Sequence, residues 1–425
     1  MVGGVETYVQ GLLSRLVGLG HSLYFLYEND ADSRSGIEVP NAVPSSNVNS
    51  AERALSFSLL RAWKPDVVYV QQIHDEQTEA ELLATAPAVL FLHSYQGACI
   101  SGSKTFQFPA IKICSRDFGW PCLLHYFPHR CGGLNPVTMG RHFFLQARRA
   151  KMLENYRVLL TQSNHMLSEY RRQHPSVDIR RLALPVEEET DVSAVSPSDE
   201  SILLHRRARA RLLFQQRSEP LKLLFLGRFE MLKGGSFLLD SLPAICDVLQ
   251  KPLHVTFAGE GRSGHDWRSI ARNLQRGDSR IEVSFPGWLD SIGKAALFRD
   301  SDLLVIPSVW PEPFGLVGPE AGRCGLPAAA FKVGGIPDWL TSGVNGYFAE
   351  GSRPDGRRLA EAIAKCFASE QHYMELSRGS VMMSSRYQWQ QHLEELISIL
   401  EGASSELPFR GSVPPSDRAE NSPDS

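Results

Sequence analysis

The 425-residue chain reads as an α/β protein built from two doubly wound domains. Three observations predict this. Short, unbroken apolar runs recur in both halves of the chain. Each is followed by a stretch with helical periodicity, and an acidic, serine-rich segment parts the halves. Strands that are apolar throughout, instead of alternating, suit parallel sheets covered by helices on both faces. The length leaves room for two to three domains at roughly 150 residues each. With 43% hydrophobic and 21% charged residues the composition is globular, which excludes a disordered, collagenous or coiled-coil chain.

Taken in order, helical spacing predicts helices over Glu6–Leu19 and Ala51–Trp63. Strands are predicted at Ser22–Tyr27, Val67–Val70, Val89–Leu92 and Arg157–Thr161, each short and apolar. Residues 1–186 form the first domain on this reading. Residues 187–219 form a linker: Glu187–Ser201 reads as a loop and His205–Gln215 as a basic helix. Strands at Leu221–Leu226, His254–Ala258, Ile281–Phe285, Leu303–Ile306 and Ala328–Phe331 make residues 220–370 the second domain. Residues 371–402 read as closing helices that pack back on the first domain, and 403–425 as a disordered tail.

A net charge of −3, from 44 basic and 47 acidic residues, argues against a general nucleic-acid binder. No apolar run reaches the length of a membrane-spanning helix, and Met1–Tyr8 has no secretory signal pattern. Seven cysteines, an odd number, fit a reducing compartment, so the expected location is cytoplasmic. Residues 141–181 hold nine basic and three acidic residues. The stretch reads first as a solvated helical face, and alternatively as a peripheral contact with an anionic membrane.

The most informative segment is Pro307–Gly346. A strand ends at Ile306, a proline-rich loop follows, and Gly315 opens a helix whose first turn accommodates Pro319. The free amides of Leu316 and Val317 then make an anion site suited to a diphosphate. Glu312 in the loop and Glu320 one turn into the helix flank it. One faces a sugar and the other a ribose if the ligand is a nucleotide-sugar. Arg228 and Lys233 leave the carboxyl end of Leu221–Leu226, where two cations neutralise a diphosphate. Gly3 and Gly4 precede a helix and permit close backbone approach. His93 ends the strand Val89–Leu92 at a carboxyl edge.

Two patterns invite other readings. Gly259-Glu260-Gly261-Arg262-Ser263-Gly264 matches the dinucleotide fingerprint, with Asp278 and Glu282 near the distance of a ribose carboxylate, which would mean an oxidoreductase. It follows the second strand of its domain, where that fingerprint does not belong. Cys99, Cys114, Cys122 and Cys131, with His125 and His129, are weak candidates for structural zinc, because no CxxC pair is present.

The paired glutamates in EPFGLVGPE resemble the motif of glycosyltransferase family 4, the retaining GT-B enzymes. Gly3–Glu6 resembles the family's glycine loop and Gly227–Gly234 its phosphate clamp. Phe257–Gly261, including Glu260, and Phe285–Trp288 resemble the loops near the nucleotide base. Gly334–Asp338 and Gly343–Gly346 resemble the segments after the glutamates. The resemblance implies a GT-B fold, with the donor in the second domain and the acceptor in the first. It implies hexose transfer with retention, from a UDP-, GDP- or ADP-sugar to a glycan, lipid-linked or small-molecule acceptor. No catalytic metal or further cofactor is implied, and the setting is polysaccharide or glycoconjugate biosynthesis. Glu312 would stabilise the sugar ring, Glu320 would hold the ribose, and His93 would contact sugar or acceptor. The family begins with a strand before its glycine loop, whereas here only Met1-Val2 precede Gly3. The expected true start is therefore upstream. The alternative, should that strand be absent, is a catalytically impaired nucleotide-binding relative.

Overall fold

The computed structural model describes residues 4–28, 37–48, 53–187, 199–351 and 353–405. Gly3, most of the acidic segment and residues 406–425 lie outside them. The first domain opens with α1 (Gly4–Gly18), β1 (Phe25–Tyr27), β2 (Ser45–Asn47), α2 (Arg53–Trp63), β3 (Val68–Val70), α3 (Glu76–Leu83) and β4 (Ala88–Leu92). An excursion of short elements follows: β5 (Thr105–Phe106), β6 (Lys112–Ile113) and α4 (Pro121–Tyr126). The domain closes with α5 (Pro136–Leu153), β7 (Val158–Thr161), α6 (Asn164–Gln173) and β8 (Asp178–Arg181). Its described strands make two parallel sheets, β1-β2 and β3-β4-β7-β8, and the short antiparallel pair β5-β6 of the excursion. Every residue of β4 and β7 is buried, which is why both read as plain apolar runs.

The second domain runs through α7 (Asp199–Gln215), β9 (Leu221–Leu226), α8 (Gly235–Leu249), β10 (Leu253–Ala258), α9 (Gly264–Gly277) and β11 (Ile281–Gly287). It continues with α10 (Ser291–Asp300), β12 (Leu303–Ile306), α11 (Val317–Arg323), β13 (Ala328–Phe331), β14 (Gly346–Ala349), α12 (Gly356–Cys366), α13 (Glu370–Ser384) and α14 (Trp389–Ser405). The parallel sheet has the order β11-β10-β9-β12-β13-β14. The winding direction reverses between β9 and β12, and in such sheets ligands bind at the carboxyl ends of the strands at that switch point.

Two boundaries differ from the sequence reading. Helix α7 begins at Asp199, inside the stretch read as loop, and it packs as part of the second domain. Arg206 on α7 is fully buried and donates hydrogen bonds to the carbonyls of Phe298, Ser301 and Cys324. Ser301 and Cys324 are the C-caps of α10 and α11, so one guanidinium caps two helix ends. Helix α13 packs on α7 and α11, while α14 reaches β4 of the first domain. There Trp389 stacks on Tyr8 at 5.7 Å, and Tyr8 and His392 are hydrogen-bonded at 2.9 Å.

Candidate active site at the strand switch point

Lys233 and Glu312 leave the carboxyl ends of β9 and β12, the two strands that flank the switch point. The structure brings them into contact: Lys233 Nζ lies 2.7 and 3.0 Å from the two carboxylate oxygens of Glu312. Ser308 also donates its hydroxyl to Glu312, which is 5% exposed. Trp310 lies over the ammonium at 5.4 Å.

Local backbone conformation holds both partners. Gly234, next to Lys233, has φ +74° and caps the turn before α8, and a Cβ there would collide with the carbonyl of Pro307. Gly334 has φ +54° and sits directly against the backbone of Glu312. Gly335 donates its N–H to the Glu312 carbonyl at 2.7 Å. The glycines around the glutamate are thus explained by close backbone approach.

Glu320 does not join this pair. It bonds Lys294 of α10, Nζ to Oε1, at 2.7 Å. Arg228 is exposed and has no ion-pair partner among the described residues. Gly315 has φ +82°, and the turn it makes leads through Leu316, the N-cap, into α11 at Val317. Glu260 and Trp288 follow β10 and β11 at the same sheet edge, and Trp288 is 48% exposed. The fingerprint loop spends its backbone on its neighbour: Phe229 donates to Glu260 O at 2.8 Å, and Ser263 donates to Phe229 O at 2.8 Å. Its glycines permit that contact; a Cβ on Gly261 would meet the backbone of Phe229.

From the first domain, α6 meets the segment after the glutamates. Asn164 donates its N–H to Asp338 at 2.9 Å, and burial raises the Asp338 carboxyl above its usual range. Tyr95 is buried and its hydroxyl is pushed well up, mainly by burial and in lesser part by carboxylates that include Glu312. That places the loop after β4 within electrostatic reach of Glu312.

His93 is in that loop but neither ring nitrogen is free for a substrate. Nε2 lies 2.8 Å from Gln71 Oε1, and Nδ1 lies 2.7 Å from Gln162 Nε2. An amide oxygen accepts and an amide nitrogen donates, so Nε2 carries the proton. Burial lowers the pKa to about 4, so the ring is neutral near pH 7. Gln71, His93 and Gln162 each directly follow a strand (β3, β4 and β7), forming a row along one sheet edge. The expected sugar or acceptor contact through a ring nitrogen is therefore not available in this arrangement. Gly4 is the first residue of α1.

Cys99, Cys114, Cys122 and Cys131 are free thiols that line one cavity of about 20 Å³. Burial, and then the neighbouring thiols, push Cys131 up to about 12. No three described His, Cys, Asp or Glu side chains stand around one point in a geometry that would hold a metal. The cysteines are neighbours without forming the zinc polyhedron that their clustering suggested.

Sequence reasoning missed Ser308, Lys294, Tyr95 and the two glutamines. Lys294 and Glu320 lie 26 positions apart with no shared motif. Only the strand order, which sets α10 beside α11, brings them together.

Residues 210–380 match the family model described as Glycosyl transferases group 1. The chain is 32% identical over 208 residues to D-inositol 3-phosphate glycosyltransferase 1 of Catenulispora acidiphila, covering 46% of this chain and 47% of that protein. It spans about half the length of the curated relatives it matches. Anabaena HepE, crystallised with UDP and glucose, superposes with a TM-score of 0.60 and 17% identity, over 94% of this chain and 96% of that one. Sucrose-phosphate synthase of Thermosynechococcus elongatus gives 0.63 and 18%, over 94% of each. The fold is GT-B.

Proposed function

We propose that this chain, whose second domain matches the group 1 glycosyltransferases, is a retaining hexosyltransferase that takes its sugar from a nucleoside-diphosphate sugar. The observation that carries this reading is the Lys233–Glu312 contact at the strand switch point. An arriving donor brings a diphosphate that competes with Glu312 for the ammonium of Lys233. Arg228, exposed nearby at the end of the same strand, adds a second cation. The amides of Leu316 and Val317 face the same charge. As the bond from sugar to diphosphate breaks, negative charge gathers on the leaving oxygen, and donors fixed in advance contribute on the order of 3 kcal/mol each.

Glu312, freed from Lys233 but still held by Ser308 and Gly335, faces the sugar ring and stabilises the positive charge that develops there. It accepts no proton: the acceptor hydroxyl attacks on the face the diphosphate leaves, and its proton passes to the departing diphosphate oxygen. Glu320 takes the ribose hydroxyls, with Lys294 fixing one of its oxygens. Glu260 and Trp288 lie beside the base. His93, neutral and held by two glutamines, shapes the acceptor side without exchanging protons. The acceptor is a glycan, a lipid-linked sugar or a small molecule, in polysaccharide or glycoconjugate assembly on the cytoplasmic side.

The test is a thermal-shift titration with UDP, GDP, ADP and NAD on the chain and on Arg228→Ala with Lys233→Ala. Ligand at 100 times its dissociation constant stabilises by about 2.7 kcal/mol. A response to one nucleoside diphosphate, lost in the double variant, is expected and names the base. A response to NAD alone, or to nothing, would overturn the reading.

A further inference from the structure

The excursion between β4 and the middle of α5 presents a markedly apolar surface. Phe108, Trp120, Leu124, Leu134, Val137 and Phe144 are all exposed, from 48% at Phe108 to 77% at Val137. Single exposed apolar side chains are ordinary, but six large ones in one short segment mark an interaction surface. Helix α5 shows how the surface is built. Met139 and Phe143 pack inward against α4, and Gln146 and Leu153 are buried on the same face. Val137, Arg141, Phe144 and Arg148 recur at spacings of four, three and four, so they form one stripe on the opposite face, and all are exposed. Trp120 and Leu124 repeat the pattern across one turn of α4.

The charge is as one-sided as the hydrophobicity. Residues 101–150 contain seven basic residues and one acidic residue, Asp117. Lys104 is buried against Glu169 and Arg149 is buried among backbone carbonyls, which leaves Lys112, Arg116, Arg130, Arg141 and Arg148 exposed, Arg148 with Glu76 of α3 at 3.3 Å as its exposed partner. Asp117 is occupied by Arg172. Among the described residues no helix is long and apolar enough to cross a membrane.

We propose that this face docks the protein on an anionic lipid surface. Trp120, Leu124, Val137 and Phe144 enter the headgroup boundary, while Arg141, Arg148 and Arg130 meet lipid phosphates. The patch therefore lies at 108–148, centred upstream of the basic stretch that the sequence singled out. Because the excursion leaves β4 just beyond His93, docking brings the cleft to the lipid surface. This suits a lipid-linked acceptor, a step that rests on the transferase reading; the docking itself does not.

The test is co-sedimentation of the full chain with vesicles of phosphatidylcholine, alone or mixed with phosphatidylglycerol. The variants are Arg141→Ser with Arg148→Ser, and Trp120→Ser with Phe144→Ser, each first matched to the parent by thermal melt. The parent is expected to bind the mixed vesicles and to be released by salt. Loss of two surface arginines weakens binding about 25-fold, at roughly fivefold per charge. The apolar pair abolishes binding. Parent protein that ignores the anionic vesicles, or variants that bind as well as the parent, would overturn the proposal. So would concentration-dependent dimerisation that the apolar pair abolishes, since a second copy would then own the face. Turnover with a water-soluble acceptor is followed separately; its absence beside intact vesicle binding counts against the transferase and not against the docking.

Discussion

Breaking the contact between Lys233 and Glu312 should have asymmetric consequences for stability and coupled consequences for rate. Lys233→Met keeps the aliphatic stem and removes the charge; Glu312→Gln keeps the shape and removes the charge. Glu312 is 5% exposed, so losing Lys233 leaves a buried carboxylate with only Ser308 to satisfy it. Stranding a buried charge costs about 3–5 kcal/mol. The Lys233 side chain is 23% exposed, so losing Glu312 lets the ammonium turn to water at a cost nearer 1 kcal/mol. Lys233→Met should therefore melt well below Glu312→Gln without ligand. In turnover each single change removes a group that acts on transition-state charge, so kcat falls about 100- to 1000-fold. The two groups touch, so the double variant should lose clearly less than the sum of the singles. The assay is nucleoside-diphosphate release from the sugar donor that the thermal shift identifies. Losses that multiply independently, or parent-like kinetics in either single variant, would refute the reasoning.

Three further outcomes are expected. Lys294→Ala frees the Glu320 carboxylate, whose partner lies at 2.7 Å with side chains 31% and 15% exposed. Donor KM should rise about fivefold with kcat nearly unchanged, and Glu320→Ala should weaken the donor further; a kcat-only effect would remove Glu320 from ribose binding. His392 is buried and His93 half-buried, both neutral, with pKa values lowered by desolvation to about 4 from an ordinary 6.5. Between those values the unfolded chain binds more protons, so stability is present above pH 6.5 and lost on acidification. From pH 7 to pH 5 each of these two histidines removes roughly 2 kcal/mol, so His392→Gln should make the drop in chemical denaturation shallower by about that amount; an unchanged drop would refute it. Arg206→Met removes the donor to three carbonyls, two of them in buried bonds, and should cost at least about 3 kcal/mol, seen as a lowered melting temperature; a change of under about 1 kcal/mol would show those helix ends are capped another way.

The strands that were legible in the sequence are those covered on both faces. In β4, β7, β12 and β13 every residue is buried, so each reads as an unbroken apolar run. Strands β2, β8 and β14 escaped. Only Ile179 is buried in the polar β8, β2 is a Ser-Ser-Asn segment, and the edge strand β14 opens on glycine. Such strands are assigned by their neighbours, because pairing supplies what a pattern of side chains does not. Helix α7 was read as starting late because its opening residues are acidic and polar, yet Arg206 anchors it from within.

The site divides along the same line. Glu312 and Glu320 were legible because glycine and proline constrain their local turn, and local conformation is written in adjacent residues. Their partners were not, because each comes from a different strand or helix. Lys233 and Glu312 appeared in separate motifs, as a phosphate cation and a sugar carboxylate, and nothing in the spacing says that they neutralise one another before a donor arrives. His93 is the sharper case. A histidine at a strand end invites a chemical role, but Gln71 and Gln162 follow the strands on either side of it. Once the order β3-β4-β7 is known, the three side chains fall into one hydrogen-bonded row that fixes the tautomer and keeps the ring neutral. The same topology thus closes both ring nitrogens of His93 within the protein, while Lys233 and Glu312 meet where the second sheet reverses direction.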